Sequence, residues 1–282
     1  MFFRVIIRKI GYGEFAHIIA ENFMQLLADT HVHVYPDHDP AVLLTGTVKR
    51  LRHAANSPAA ACAVFLTEGR DFNWFAALRD GSHGLPEAFK VSPCDEEEAV
   101  RISWGSEEIH VFAGRQIVAA ERVEILALTM ASVPNDGLRA ADVVADVDGR
   151  GAIPVLAWAP GKWMFSRAKV VEGLLGTARE CLHIGDSALR CRGWPEPKAM
   201  GASAYPVLAG SDPLPVPGEE KWAGAYGIRM ELNFDREAPV ASVRKALKDP
   251  QCQLSRIGRR NSAAEMGKRM FAHRQQKREA SK

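Results

Sequence analysis

The chain has 282 residues, of which 47% are hydrophobic, and a formal net charge of +2. A chain of this length and composition can bury a full core, either as one α/β barrel or as two smaller domains. It contains no run of about 18 apolar residues, so we expect no membrane-spanning helix. Residues 1–9 are apolar but soon interrupted by charge, and we expect no secretory signal there.

The charge and the cysteines are unevenly distributed. Residues 252–282 carry nine Lys or Arg and two Glu, whereas the rest of the chain carries 27 Lys or Arg and 32 Asp or Glu. The five cysteines are an odd number and none forms a C-x-x-C pair. No two cysteines have the spacing of zinc ligands, so we expect reduced thiols and a cytoplasmic protein.

Apolar runs and helical spacing predict alternating strands and helices after an ambiguous segment at residues 1–22, which ends in a short helix from residue 14 to 22. The predicted strands cover residues 23–30, 59–67, 109–118, 123–129, 152–158, 181–185 and 205–211. The predicted helices cover residues 41–55, 71–79, 137–148, 165–175, 196–203, 239–248 and 261–278. Residues 100–112 predict a β-hairpin insertion, and the Gly- and Pro-rich residues 210–227 predict a fixed wall over the site.

Seven strands with intervening helices indicate a βα barrel or a doubly wound sheet. The sequence has no internal repeat and no low-complexity linker, which favours a single domain. We therefore expect residues 1–251 to form the α/β domain and residues 252–282 to form a basic helix or tail. Met266, Met270 and Phe271 have helical spacing, and we favour docking of the tail over nucleic-acid binding.

The end of the first predicted strand carries the strongest chemical signal. Alternation along a strand places Asp29, His31 and His33 on one face. Two imidazoles at this spacing can chelate one cation, and a nearby carboxylate can orient one of the rings. The alternative is a buried strand whose histidines are satisfied polar groups.

Polar side chains recur at the ends of the other predicted strands, where a βα barrel builds its site. They are His31, His33, Glu68, Trp158, Lys162, His183, Asp186, Ser211 and Asp212, with Glu124 inside its strand. We expect these residues to gather at one end of the sheet. His183 and Asp186 are candidates for an acid/base pair, with a structural histidine as the alternative.

Four segments together resemble the motifs of the PHP (polymerase and histidinol phosphatase) family of metal-dependent phosphoesterases. They are Asp29-Thr30-His31-Val32-His33, Phe65-Leu66-Thr67-Glu68-Gly69, residues 112–128, and Ala209-Gly210-Ser211-Asp212-Pro213-Leu214. The resemblance covers residues 23–215 in order and spacing. It implies a distorted seven-stranded βα (TIM-like) barrel and a metal-dependent hydrolase.

The departures from the family pattern reduce the number of metal ions that the resemblance implies. His31, His33 and Asp212 match metal ligands, and Glu68 is a conservative replacement of an Asp. Gln116 takes the place of a Glu, and Gly69, Glu124 and Leu214 replace histidines. The ligand set therefore predicts at most one divalent ion, either zinc, manganese or iron, with Asp186 or Glu68 as the catalytic base.

Three cationic residues just beyond strand ends are candidates for binding an anionic or phosphorylated ligand: Lys162, Arg70 and Arg190. An exposed Lys and surface salt bridges are the alternatives. Three functions stay open from the sequence: a phosphoesterase-like hydrolase with one metal ion, a non-catalytic barrel that binds a phosphorylated ligand or a protein, and a nucleic-acid-associated protein that acts through its tail.

Overall fold

The computed structural model describes residues 23–279 except 134, 135, 178 and 180. The strand or helix predicted within residues 1–22 lies outside the described residues. Twelve strands and seven α-helices are present in the described part of the chain. No described helix is long and apolar enough to cross a membrane.

The first sheet has seven strands in the order β12-β11-β1-β2-β5-β4-β3. Its strands are β1 (Phe23–Val32), β2 (Ala61–Leu66), β3 (Lys90–Pro93), β4 (Ala99–Trp104), β5 (Glu107–Phe112), β11 (Tyr226–Asn233) and β12 (Leu254–Gly258). The pairs β1–β2 and β2–β5 are parallel, and the remaining pairs are antiparallel.

The second sheet has five strands in the order β10-β9-β8-β7-β6. Its strands are β6 (Gly114–Val118), β7 (Glu124–Leu128), β8 (Ile153–Ala157), β9 (His183–Ser187) and β10 (Val207–Gly210). β8, β9 and β10 are parallel, whereas β7 is antiparallel to both of its neighbours. The hairpin predicted at residues 100–112 is confirmed as β4 and β5.

The strand ladders of the described residues do not close into the predicted barrel. The two mixed sheets are separate because β1 pairs on its second edge with β11, an antiparallel strand absent from the prediction. The predicted strand 109–118 also divides at Ala113, and its halves belong to different sheets. The fold is therefore mixed α/β, with fewer parallel strands than expected.

Short contacts join the two sheets on both sides of the same end. On one side Glu68 forms an isolated bridge with Arg115, where Glu68 N donates to Gly114 O at 3.1 Å. On the other side the Asp212 N–H donates to His31 O at 2.9 Å. This end of the molecule is where the predicted metal ligands lie.

The helices are α1 (Pro40–Ala55), α2 (Trp74–Asp80), α3 (Ala140–Gly149), α4 (Ser166–Leu175), α5 (Lys198–Gly201), α6 (Pro239–Lys248) and α7 (Ala263–Glu279). α1 begins as predicted, because the Asp39 side chain accepts hydrogen bonds from Ala41 N and Val42 N and Pro40 takes the first turn. α1 and α2 cover one face of the first sheet, and α3 and α4 cover the second sheet. A third apolar core joins strands of both sheets with α6.

A bulge in β1 changes which residues share a face. The register with β2 shifts between Asp29 and Val32, so one extra residue interrupts the alternation. The sequence had indicated that the Asp29 carboxylate could orient a histidine ring. Because of the bulge, it does not. It accepts hydrogen bonds from the backbone N–H groups of His31, Ser211 and Gly224 and from the Ser211 hydroxyl.

Asp29 is fully buried, and burial raises its pKa to about 6 despite these four donors. Its carboxylate ties together the end of β1, the residue after β10 and the chain entering β11. We predict that Asp29→Ala lowers the free energy of unfolding by about 3–5 kcal/mol, because it leaves several buried donors without an acceptor. Urea denaturation measures this, with the exposed Asp71→Ala as control. Equal stability of the two variants would contradict the prediction.

Candidate metal centre

His31, His33 and Asp212 converge at one buried point, with exposures of 6%, 6% and 8%. The Nε2 atoms of the two histidines lie 3.1 Å apart. The Asp212 Oδ1 atom lies 3.7 Å from the Nε2 atom of each histidine. The sequence prediction that these three residues would come together is thus matched by their geometry.

These distances fit a single small cation. Zinc bonds of about 2.0–2.2 Å to nitrogen and oxygen in a tetrahedral site place the ligand atoms roughly 3.3–3.5 Å from one another. The three observed separations bracket this range, so an ion could sit between the ligand atoms with small side-chain adjustments. The donor set of two imidazoles and one carboxylate leaves a coordination position open, which is typical of catalytic zinc sites.

The backbone brings the aspartate to the histidines through two constraints. Gly210 approaches His31 so closely that a Cβ atom at position 210 would lie 2.3 Å from the His31 Cβ, and only glycine fits. Asp212 has a φ of +53°, in the left-handed region that a non-glycine residue rarely occupies. This conformation turns the chain after β10 so that the Asp212 side chain reaches His31 and His33.

The protonation states suit metal ligands. Burial, followed by the charge of His31, lowers the pKa of His33 to about 3, so its ring is neutral at ordinary pH. Burial by itself would raise the pKa of Asp212, but His31, His33 and Arg269 hold it below its usual value. The Ser187 hydroxyl donates to Asp212 Oδ2 at 3.0 Å, which leaves Oδ1 directed at the histidines.

Gln116 also belongs to this cluster. Its Oε1 atom lies 3.3 Å from His31 Nε2. The residue is on β6, beside the Glu68 bridge that joins the two sheets, and Gln116 N donates to Glu68 O at 2.9 Å. Residue 116 therefore faces the candidate site, in the position that the motif alignment assigned to it.

Tyr35 is a site residue that the sequence reasoning missed. Its ring stacks on His33 with centroids 5.4 Å apart and meets Phe72 edge-on. Burial and the neighbouring Asp212 and Glu124 carboxylates raise its pKa, so the phenol stays neutral and able to donate. The signal was present, because alternation from His31 through His33 leads next to residue 35.

Glu68, a predicted catalytic residue, lies between the sheets with its carboxylate turned toward α2. Its Oε1 accepts from Phe75 N at 3.1 Å, and its Oε2 lies 3.4 Å from the guanidinium of buried Arg115. Burial raises the pKa of Glu68. None of its described contacts is to His31 or His33. Arg70, two residues further on, is exposed.

Asp186, the second predicted catalytic residue, is held by an arginine that was predicted to bind substrate. Arg190 donates to both carboxylate oxygens, at 2.7 and 2.5 Å, and the Tyr226 hydroxyl donates at 2.8 Å. Asp186 and Arg190 are 1% and 3% exposed. His183, three residues earlier, is buried, and burial lowers its pKa to about 4. The described contacts do not join His183 to Asp186.

Lys162, the remaining predicted anion-binding residue, contacts Glu124 through Nζ and Oε1, 2.5 Å apart. The sequence analysis assigned Glu124 to a position where the PHP motifs have a histidine, and this residue forms an ion pair. Leu214, another such replacement, is buried against Met266 of α7. These two positions offer a second ion no imidazole.

We predict that Gln116→Glu tightens binding of a divalent ion about tenfold, because a carboxylate adds a negative charge beside His31. The metal-free variant should be less stable than the wild type, since the new carboxylate lies close to Asp212. Calorimetric titration with zinc and manganese, together with urea denaturation without metal, measures both effects. The exposed Gln251→Glu is the matched control. Unchanged affinity and stability would place residue 116 outside the site.

No family model and no curated protein matches the sequence. Among solved structures, the fold is similar to PsfC from Pseudomonas syringae PB-5123, with a TM-score of 0.52 and 16% identity over 91% of this chain and 99% of that chain. The lesion-specific endonuclease PfuEndoQ from Pyrococcus furiosus gives a TM-score of 0.48 at 15% identity, over 82% of this chain and 58% of that chain. Endonuclease Q bound to a 27-mer duplex with an abasic lesion gives 0.43 at 15% identity, over 80% and 56%. The likeness to PsfC indicates a shared fold over nearly the whole of both chains.

Proposed function

We propose that the chain is a hydrolase of the phosphoesterase type that uses one divalent ion held by His31, His33 and Asp212. The convergence of these three buried ligand atoms carries the proposal. It agrees with the resemblance to the PHP family, whose metal ligands they match. We also propose that the two sheets are the halves of a distorted barrel, joined at the Glu68 bridge and the Asp212–His31 contact.

A divalent ion in this cluster would supply Lewis acidity and a water molecule of lowered pKa. The protein groups around it have separable tasks. Ser187 orients Asp212, and Gln116 offers a neutral carbonyl oxygen beside His31. The Tyr35 phenol, whose ring stacks on His33, is proposed to donate a hydrogen bond to a phosphoryl oxygen. Arg70, which is exposed, is proposed to attract the anionic substrate, whereas the charge of Lys162 is offset by its ion pair with Glu124.

The second candidate function is a non-catalytic domain that binds a phosphorylated ligand or a protein partner. The observation that favours it concerns Glu68 and Asp186, the two candidates for the catalytic base. Glu68 pairs with buried Arg115, and Asp186 pairs with buried Arg190. Phe75 N and the Arg115 guanidinium lie at the two Glu68 oxygens, and Arg190 and Tyr226 donate to the Asp186 oxygens, so both carboxylates are engaged by protein groups. Nucleic-acid binding through the basic α7 is a third proposal, carried only by charge.

We predict that the purified protein binds about one equivalent of zinc, manganese or iron. His31→Ala and Asp212→Ala should abolish this binding, whereas the exposed His53→Ala should not. Elemental analysis and calorimetric titration give the stoichiometry. Wild-type protein that binds none of these ions would overturn the proposed hydrolase.

Activity tests separate the two candidates. Metal-loaded wild-type protein is assayed against phosphomonoesters, phosphodiesters and oligonucleotides, before and after chelation. The hydrolase proposal expects turnover that chelation and His31→Ala both abolish. Full metal binding without turnover on any of these classes would favour the non-catalytic domain.

Glu68→Gln and Asp186→Asn test the predicted catalytic roles. If the residue is a general base, its substitution should lower kcat at least about 100-fold and remove one limb of the pH profile. If the carboxylate is structural, its substitution should instead lower the free energy of unfolding by about 3–5 kcal/mol, because a buried arginine is left unpaired. From the arginine contacts we expect the stability loss to dominate in Asp186→Asn. A large kcat loss at unchanged stability would restore the catalytic assignment.

A further inference from the structure

The C-terminal helix α7 contacts the candidate metal centre through one buried arginine. Arg269 is only 3% exposed. Its Nη2 donates to the backbone oxygen of Asp212 at 2.9 Å and to Glu219 Oε2 at 2.6 Å. Its Nε and Nη1 donate to Glu219 and to Asn261 Oδ1, at 2.8 and 3.2 Å. All three guanidinium nitrogens thus donate hydrogen bonds, to Asp212 itself, to Glu219 or to Asn261.

These contacts leave one polar atom of Asp212 available. The Asp212 N–H donates to His31 O, its carbonyl accepts from Arg269, and its Oδ2 accepts from Ser187. Only Oδ1 points at the two histidines. Because Asp212 has a positive φ, which a non-glycine residue rarely occupies, surrounding contacts must maintain its conformation.

Arg269 also fixes the segment that follows Asp212. Its partner Glu219 accepts a hydrogen bond from Leu214 N at 3.1 Å. The carbonyl of Leu214 in turn accepts from His38 Nε2 at 3.0 Å. The segment from residue 212 to 219 is therefore held on one side by the loop after β1 and on the other side by α7.

The apolar face of α7 packs on the same region. Met266 and Met270 lie in a small cluster with Leu189, Leu214 and Val216, and with Cys191. Of the described residues of α7, only Met266 and Arg269 are buried. Met266 clusters with Leu189, Cys191 and Leu214, which follow β9 and β10. Arg269 contacts Asp212 and Glu219, which also follow β10. Much of the burial of α7 thus depends on the conformation of the segment that carries Asp212.

We propose that Arg269 is a positioning residue for the metal ligand Asp212, and that docking of α7 and binding of the metal ion are energetically coupled. The inference rests on the proposed metal site and adds a means of regulating it. An undocked α7 would release the Asp212 carbonyl and the Glu219 carboxylate, and Asp212 would leave its left-handed conformation. By linkage, the factor by which α7 docking increases metal affinity equals the factor by which metal binding increases the equilibrium constant of α7 docking.

The first test measures cobalt(II) affinity by absorption titration of the full-length chain. Arg269→Ala should weaken binding at least about tenfold, the scale of other changes behind metal ligands. Arg269→Lys keeps the charge without the planar fork and should recover only part of the loss. Lys268→Ala, at an exposed neighbouring position of α7, should bind like the wild type.

The second test follows hydrogen exchange of α7 in unmodified protein, with and without saturating cobalt(II). Coupling predicts slower exchange in residues 263–279 with metal, and no change in His31→Ala, which lacks a ligand. This test stands even if Arg269→Ala does not fold. Wild-type affinity in folded Arg269→Ala, or α7 exchange that is indifferent to metal, would overturn the proposal.

The outcomes also separate this inference from the proposed function. If wild-type protein binds no cobalt(II), the metal site and the inference fail together. If the wild type binds and Arg269→Ala binds equally well, the inference fails alone. Metal binding that depends on Arg269 without any turnover would support the coupling while leaving a non-catalytic domain.

Discussion

The buried carboxylate of Asp29 holds together the part of the molecule on which the candidate site depends. β1 pairs with β11 only as far as Ala28, and beyond this point its histidines turn toward the end of β10. Asp29 lies where these strands separate and accepts four hydrogen bonds from their backbone and from Ser211. The hydrogen bonds offset only part of the cost of burying this carboxylate, since its pKa stays raised, and they hold the strand ends that carry His31 and Asp212 together.

Three buried arginine–carboxylate pairs surround this junction: Glu68–Arg115, Asp186–Arg190 and Glu219–Arg269. Glu68 lies just after β2, Asp186 lies near the end of β9, and Glu219 lies in the chain between β10 and β11. Buried pairs of this kind give little net stability compared with apolar packing, because desolvation consumes most of the attraction. They do impose a specific arrangement, since either partner left alone would be strongly unfavourable. In this protein the arrangement they impose is that of the segments carrying the metal ligands.

The sequence predicted the convergence of the two histidines and Asp212, but it did not predict the partners of the surrounding carboxylates. Strand alternation is a local pattern and brings His31 and His33 together, whereas Asp212 came from the order of the motifs along the chain. The bulge at Asp29 is a single extra residue without a local signature, so it reversed that side chain. The partners Arg115 and Arg269 lie 47 and 50 residues from Glu68 and Glu219, a separation at which no spacing rule operates. β11 was missed although Tyr226, Ile228, Met230 and Leu232 alternate, because the preceding glycines and prolines suggested a continuous loop.

The charge of the centre limits the substrates that a single ion could serve. Two imidazole ligands and one carboxylate would leave a divalent ion with a positive charge in excess, and the neutral Gln116 side chain would add no negative charge to offset it. Nearby, Lys162 and Glu124 cancel each other, and the buried arginines are paired within the protein. The excess charge at the ion is then the principal local attraction for an anion. Under the proposed function, a phosphoryl group would match this excess charge with its own negative charge and its several oxygen acceptors.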